Sequence, residues 1–139
     1  AGARIQVAEQ YHLQPHHAAR LAAARCGRLG TVSQAQVSAA HGYHGISLIR
    51  RLLGVGFESA TISGSAFTSP IVKGPGRGGP PSKDEVVTST QQFFHMEWEG
   101  KLGIYDFTGD QYFSWIRGER VLIRGERGEI LNKAIPDNG

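Results

Sequence analysis

The spacing of apolar residues in this chain changes for the last time at Gly54 and Gly56, and that change limits what can form on either side. Before it, Ile46, Ile49, Leu52 and Leu53 recur at intervals of three and four, giving one apolar face to a helix whose start is bracketed by Gly42 and Gly45. After it the period is two. Phe57–Phe67 sets Ala60, Ile62 and Gly64 on one side, and Glu85–Trp98 sets Gln92, Phe94, Met96 and Trp98 against Phe93, His95 and Glu97. Gly100-Lys101 fits the turn of a hairpin into Leu102–Phe107, Asp110–Ile116 reads as a short helical turn, and Val121–Arg124 and Glu129–Leu131 read as two last strands. Nearer the start, Arg4–Glu9 alternates Ile5 and Val7 with polar neighbours, which predicts a strand. A turn at Tyr11–Pro15 follows, then a helix opened by Pro15 with Ala18, Leu21, Ala22 and Cys26 on its apolar face, ended by Gly27 and Gly30. Thr31–Ala39 reads as one more strand.

Strand, helix, strand, helix and then a run of strands predicts an α+β fold, with an open, mainly antiparallel β-sheet and helices packed on one face. The length of 139 residues fits one domain, spanning 1–139. The sheet face around Phe94, Met96 and Trp98 is expected to lack cover, so a homo-oligomer through the sheet face is expected. Thr68–Lys83 reads as a long loop, because every position from 74 to 81 except Arg77 is Gly or Pro.

Composition narrows the function classes. The 15 Lys+Arg exceed the 12 Asp+Glu by only 3, and most arginines alternate with acids, as in Arg124-Gly-Glu126-Arg127-Gly-Glu129. A nucleic-acid surface needs a stripe of one sign, so no nucleic-acid partner is expected. No apolar run approaches the ~18–20 residues of a membrane span and no signal-peptide pattern opens the chain. Cys26 has no second cysteine to pair with, so the expected location is cytoplasmic, away from membranes.

Gly74-Pro75-Gly76-Arg77-Gly78-Gly79 spells G-x-G-x-x-G. That motif cradles a pyrophosphate only where a strand leads in and a helix leads out, and Pro80-Pro81 excludes the helix. No cofactor-binding residue is therefore assigned in this chain. His12/His16 and His41/His44 have spacings a metal could use, but no third ligand stands near either pair, and no metal site is expected. Ala39-Ala40-His41-Gly42-Tyr43-His44 lies at a strand-to-helix junction, where side chains emerge into a cleft. An imidazole there can act in proton transfer at neutral pH, or Tyr43 and His44 can simply cap and pack the helix.

Several phrases, in this order, resemble the glucose–fructose oxidoreductase / inositol dehydrogenase family. They are Val7-Ala8-Glu9-Gln10-Tyr11 with Pro15, Gly27-Arg28-Leu29-Gly30-Thr31-Val32, His41-Gly42-Tyr43-His44-Gly45-Ile46 and Gly103-Ile104-Tyr105-Asp106-Phe107, with Gln111-Tyr112-Phe113-Ser114 and Ile123 to Ile130. The resemblance implies the C-terminal substrate and oligomerisation domain of an NAD(P)-dependent enzyme acting on a sugar, polyol or related hydroxy compound. An N-terminal Rossmann domain, absent from this chain, would carry the NAD or NADP and a catalytic lysine in a Glu-Lys-Pro motif, so this chain alone would bind no cofactor. The family sets an Asp, a Gly two residues later and a His four residues after the Asp at a helix start; here these are Ala40, Gly42 and His44. By this resemblance His44 is the catalytic base or proton relay. Tyr11, His41 and Tyr43 would orient hydroxyls of a small-molecule substrate, and Lys73 or Arg77 would meet an acidic group. The alternative is a stand-alone, non-catalytic ligand-binding or assembly module with the same fold, which Ala40 in place of the carboxylate favours.

Overall fold

A computed structural model describes residues 2–132; Ala1 and residues 133–139, the ends of the expected 1–139 domain, lie outside the described residues. The elements run as helix α1 (Pro15–Arg25), strand β1 (Val32–Ser38), helix α2 (Gly42–Leu53) and strands β2 (Thr61–Val72), β3 (Val86–Trp98), β4 (Lys101–Thr108), β5 (Arg120–Gly125) and β6 (Glu129–Leu131). Short 3₁₀ turns at Tyr11–Leu13 and Gly109–Gln111 precede α1 and follow β4. The strands make one six-stranded sheet in the order β2-β3-β4-β1-β5-β6. Only β1–β4 is parallel; the other four pairings are antiparallel. This is the α+β architecture that the periodicity predicts. No helix among the described residues is long and apolar enough to cross a membrane.

The core lies between the sheet and α2. Leu48, Ile49, Leu52 and Leu53 of α2 are buried with Ala35 and Val37 of β1, Met96 of β3, Tyr105 and Phe107 of β4, and Val121 and Ile123 of β5. Each such side chain contributes about 1.5–3 kcal/mol on leaving water, which is why the most strongly periodic segment became the best-buried helix.

Four expectations are corrected. Arg4–Glu9 forms no strand: Ile5 and Val7 are 89% and 68% exposed, and no ladder pairs with the segment. Alternation makes a strand only where a neighbour accepts its hydrogen bonds, and none is adjacent among the described residues. In α1, the buried positions are His17, Arg20, Leu21 and Ala24, while Ala18, Ala22 and Cys26 face outward. A polar network, described below, chose that face over the alanines. The loop expected from Thr68 starts only after Val72, because Pro70 sits inside β2 opposite Thr88. An edge strand tolerates proline where the missing N–H would have faced away from its neighbour.

The fourth concerns the sheet faces. Phe94 and Trp98 pack against the core and Met96 is 2% exposed, so the expected oligomerisation surface lies on the helix-covered side. The uncovered face carries Gln34, Gln36, Phe93, His95, Ile104 and Leu122, brought together by the registers of β1, β3, β4 and β5.

Candidate functional site

The head of α2 is built around Tyr105. This side chain is fully buried, and its hydroxyl accepts the Gly42 N–H at 2.7 Å, one of the donors a helix start leaves without a partner. Gly42 enters the helix at φ +45°, and a Cβ on Gly45 would come within 2.5 Å of the Tyr105 ring. The two glycines of His41-Gly42-Tyr43-His44-Gly45 therefore let the helix start sit directly on the tyrosine. Burial raises the Tyr105 hydroxyl above its ordinary range, partly offset by the Gly42 bond, so it stays a neutral acceptor.

This seating brings His44 inward. Its ring is buried, and Nδ1 is hydrogen-bonded to Oε2 of Glu9. The other oxygen of Glu9 accepts the Tyr11 N–H at 3.0 Å and lies 3.9 Å from Nδ1 of His12. An ionised carboxylate only accepts, so Nδ1 of His44 carries the hydrogen of this bond, the arrangement of an imidazole held by an orienting carboxylate. Tyr11 and Tyr43 lie against the His44 ring, with centroids 4.4 and 4.0 Å away, and His41 meets it edge-on at 5.0 Å. His41 is held in turn by Tyr112, whose Oη accepts the His41 N–H at 3.0 Å and hydrogen-bonds its Nδ1. Burial first, and then its bond to Tyr112, raise the Tyr11 hydroxyl to about 12. It donates hydrogen bonds at neutral pH and does not act as a base.

The structure thus gathers His44, His41, Tyr43 and Tyr11 at one place, and adds Glu9 and Tyr112. Ala40 is fully buried, and the carboxylate at His44 comes instead from Glu9, across the site. Glu9 stands in a phrase that carries the family resemblance, but its partner lies 35 residues on and nothing in the spacing joins them. Tyr112 stands in a phrase that carries the family resemblance, which by itself implies no role for it.

Lys73 and Arg77 are placed elsewhere. Lys73 pairs with Glu85 at 3.3 Å, and Arg77 is exposed at a turn closed by reciprocal Gly76–Gly79 hydrogen bonds of 3.0 Å. Lys73 lines a separate groove of about 390 Å³ with Pro75, Pro81, Asp110, Trp115 and Arg117. The Gly74–Gly79 run is therefore a tight turn and no helix N-terminus.

A second cluster ties α1 to the start of β5. His16, His17 and Glu119 bring three ligand atoms within 4.8 Å of one another, a spacing a metal could use. The chemistry does not fit. Arg20 hydrogen-bonds Nδ1 of His17 at 3.1 Å and forms an ion pair with Glu119. A neutral imidazole accepting at Nδ1 carries its hydrogen on Nε2, which then cannot ligate, and the guanidinium sets a like charge beside any cation. The group is a polar lock: Arg20 also donates to the Asn132 carbonyl at 3.1 Å, and burial, opposed by Glu119, lowers the His17 pKa to about 4. No protein-family model matches this chain, and no curated protein matches it in sequence.

Proposed function

We propose that this chain is the substrate-binding domain of an NAD(P)-dependent oxidoreductase of the cytoplasm that acts on a sugar, polyol or related hydroxy compound, with His44 as its base. The observation that carries this reading is the Glu9–His44 pair, buried at the head of α2 beneath Tyr11 and Tyr43. Oxidation of a carbinol removes a hydride from carbon and a proton from oxygen, and the proton needs a base within hydrogen-bond reach. Nε2 of His44 takes that proton, Glu9 steadies the imidazolium, and Tyr11, His41 and Tyr43 hold neighbouring hydroxyls.

The glycine run offers no dinucleotide cradle, since it closes into a turn at Gly76–Gly79. In this reading the nicotinamide, which accepts the hydride, is held by the Rossmann domain. The test is NAD(P)⁺ reduction at 340 nm by the complete gene product, against a panel of sugars, polyols and hydroxy acids. His44→Ala should lower kcat by roughly 10²-fold or more with cofactor affinity unchanged. No reduction with any substrate, or an unchanged kcat, overturns the proposal.

The buried Ala40 favours a second reading, a stand-alone binding or assembly module that has lost catalysis. It predicts saturable binding of a polyol that is indifferent to NAD(P), measured by calorimetry on the same gene product.

A further inference from the structure

Strand β2 is an edge of the sheet and pairs only with β3, through twelve register pairs from Thr61↔Glu97 to Val72↔Val86 without a bulge. Its outer side meets no strand among the described residues. Folded chains usually blunt such an edge with charge, a bulge, proline or shortness, and β6 at the opposite edge is three residues long. β2 is twelve residues long, no Asp, Glu, Lys or Arg lies between Glu58 and Lys73, and its one proline, Pro70, stands near its end and leaves Thr61–Ser69 unblunted. Both of its faces are open, with Ile62 and Phe67 each 64% exposed.

The backbone shows which groups look outward. The Lys73 N–H donates to the Glu85 carbonyl at 2.8 Å, in continuation of the β2–β3 register. Successive residues alternate in bonding direction, so odd-numbered residues bond β3 and even-numbered ones face out. Pro70, which has no N–H to give, is even-numbered and falls on the outer side. The outward donors of β2 are therefore Ile62, Gly64, Ala66 and Thr68, with Val72 beyond Pro70.

We propose that β2 pairs antiparallel with β2 of a second copy of this chain, about a twofold axis at Ser65, joining two six-stranded sheets edge to edge. This register sets Ile62 against Thr68 of the partner subunit and Gly64 against Ala66 of the partner subunit. By symmetry, the outward donors and acceptors from Ile62 to Thr68 are all used on each copy, and Pro70 and Val72 extend past the start of the facing strand. Moving the axis to Ala66 or Phe67 would place Pro70 opposite Ile62 or Gly64 and lose a bond in each half, and moving it to Gly64 would set Thr68 against a residue before the strand begins. A second copy fits because a twofold axis makes the edge its own complement and a neutral strand meets itself without repulsion. Ser63 then faces Phe67 of the partner subunit, so no two large side chains collide.

The test is cysteine cross-linking in the complete gene product with Cys26→Ser. At the axis, Ser65 opposes its own copy at a non-hydrogen-bonded position, where Cα atoms lie about 4.5 Å apart, within reach of a disulfide. Ser65→Cys should form a disulfide dimer on mild oxidation, and mass spectrometry should find the peptide joined to its own copy at position 65. Ser63→Cys should not, since its two copies sit about 13 Å apart along the strands. Ala66→Pro keeps the β3 pairing, because position 66 faces out, and should raise the dimer dissociation constant tenfold or more by sedimentation equilibrium. A monomer at all concentrations with no disulfide formed by Ser65→Cys, or equal linking by the two cysteine variants, overturns the proposal. So does a dimer indifferent to Ala66→Pro.

Discussion

Acid should weaken this fold through His17 in a way one substitution removes. The side chain is 3% exposed, held at Nδ1 by Arg20, with no hydrogen-bond partner at Nε2. Burial is the largest influence on it; Arg20 and His16 also disfavour a proton, and Glu119 and Glu9 favour one. Its native pKa is about 4 against 6.5 for a free imidazole. As pH falls through 6.5 the unfolded chain takes up a proton that the native chain refuses, so stability is complete above that value and is lost down to about pH 4. The separation corresponds to about 3 kcal/mol between the two plateaus, and to about 2 kcal/mol between pH 7 and pH 5. Other groups titrate in the same window, so the quantity to measure is a difference. His17→Gln keeps an acceptor for Arg20 and cannot titrate. Urea unfolding at pH 7, 6 and 5, read at constant m-value, should show the native chain losing about 2 kcal/mol more than the variant. Parallel pH profiles for the two proteins would refute the argument, because they would mean that His17 is protonated equally well in both states.

Two further substitutions test the head of α2. Gly45→Ala drives a methyl group into the Tyr105 ring and should cost about 1–3 kcal/mol, seen as a lower Tm; an unchanged Tm would show that the helix start can slide off the tyrosine. Glu9→Gln should lower kcat of the complete enzyme roughly tenfold to a hundredfold with KM little changed, while the melting temperature changes far less. An unaltered kcat would leave Glu9 with a packing role only.

The sequence made some elements legible for a plain reason. α2 and the β3–β4 hairpin bury apolar residues at their own period, so pattern and packing coincide at Ile49, Leu52, Met96 and Tyr105. The pattern misled where something other than apolar burial decided. Ile5 and Val7 alternate without a neighbouring strand, and the inward face of α1 was taken by His17 and Arg20, whose partners Glu119 and Asn132 lie beyond the reach of local pattern. Pro70 falls in the segment expected as loop, because a one-dimensional reading does not show which strand is an edge. In the site, His44 was legible from its junction, whereas Glu9 was not, since a carboxylate and an imidazole joined only by the fold leave no spacing to read.

The parallel seam between β1 and β4 bears on the order in which this molecule assembles. β2, β3 and β4 follow one another and pair with their sequence neighbours, so each step closes a short loop. β1 pairs with β4 only across the intervening chain, Gln34 with Leu102 and Val37 with Tyr105, and it holds β5 on its other side. Loop-closure entropy makes such a contact the late one, which leaves the centre of the sheet to be completed after its three-stranded wing. Tyr105 meets the head of α2 only when that seam is closed. The Glu9–His44 pair sits at that helix start, so the docking of β1 is expected to set the rate at which the candidate site forms.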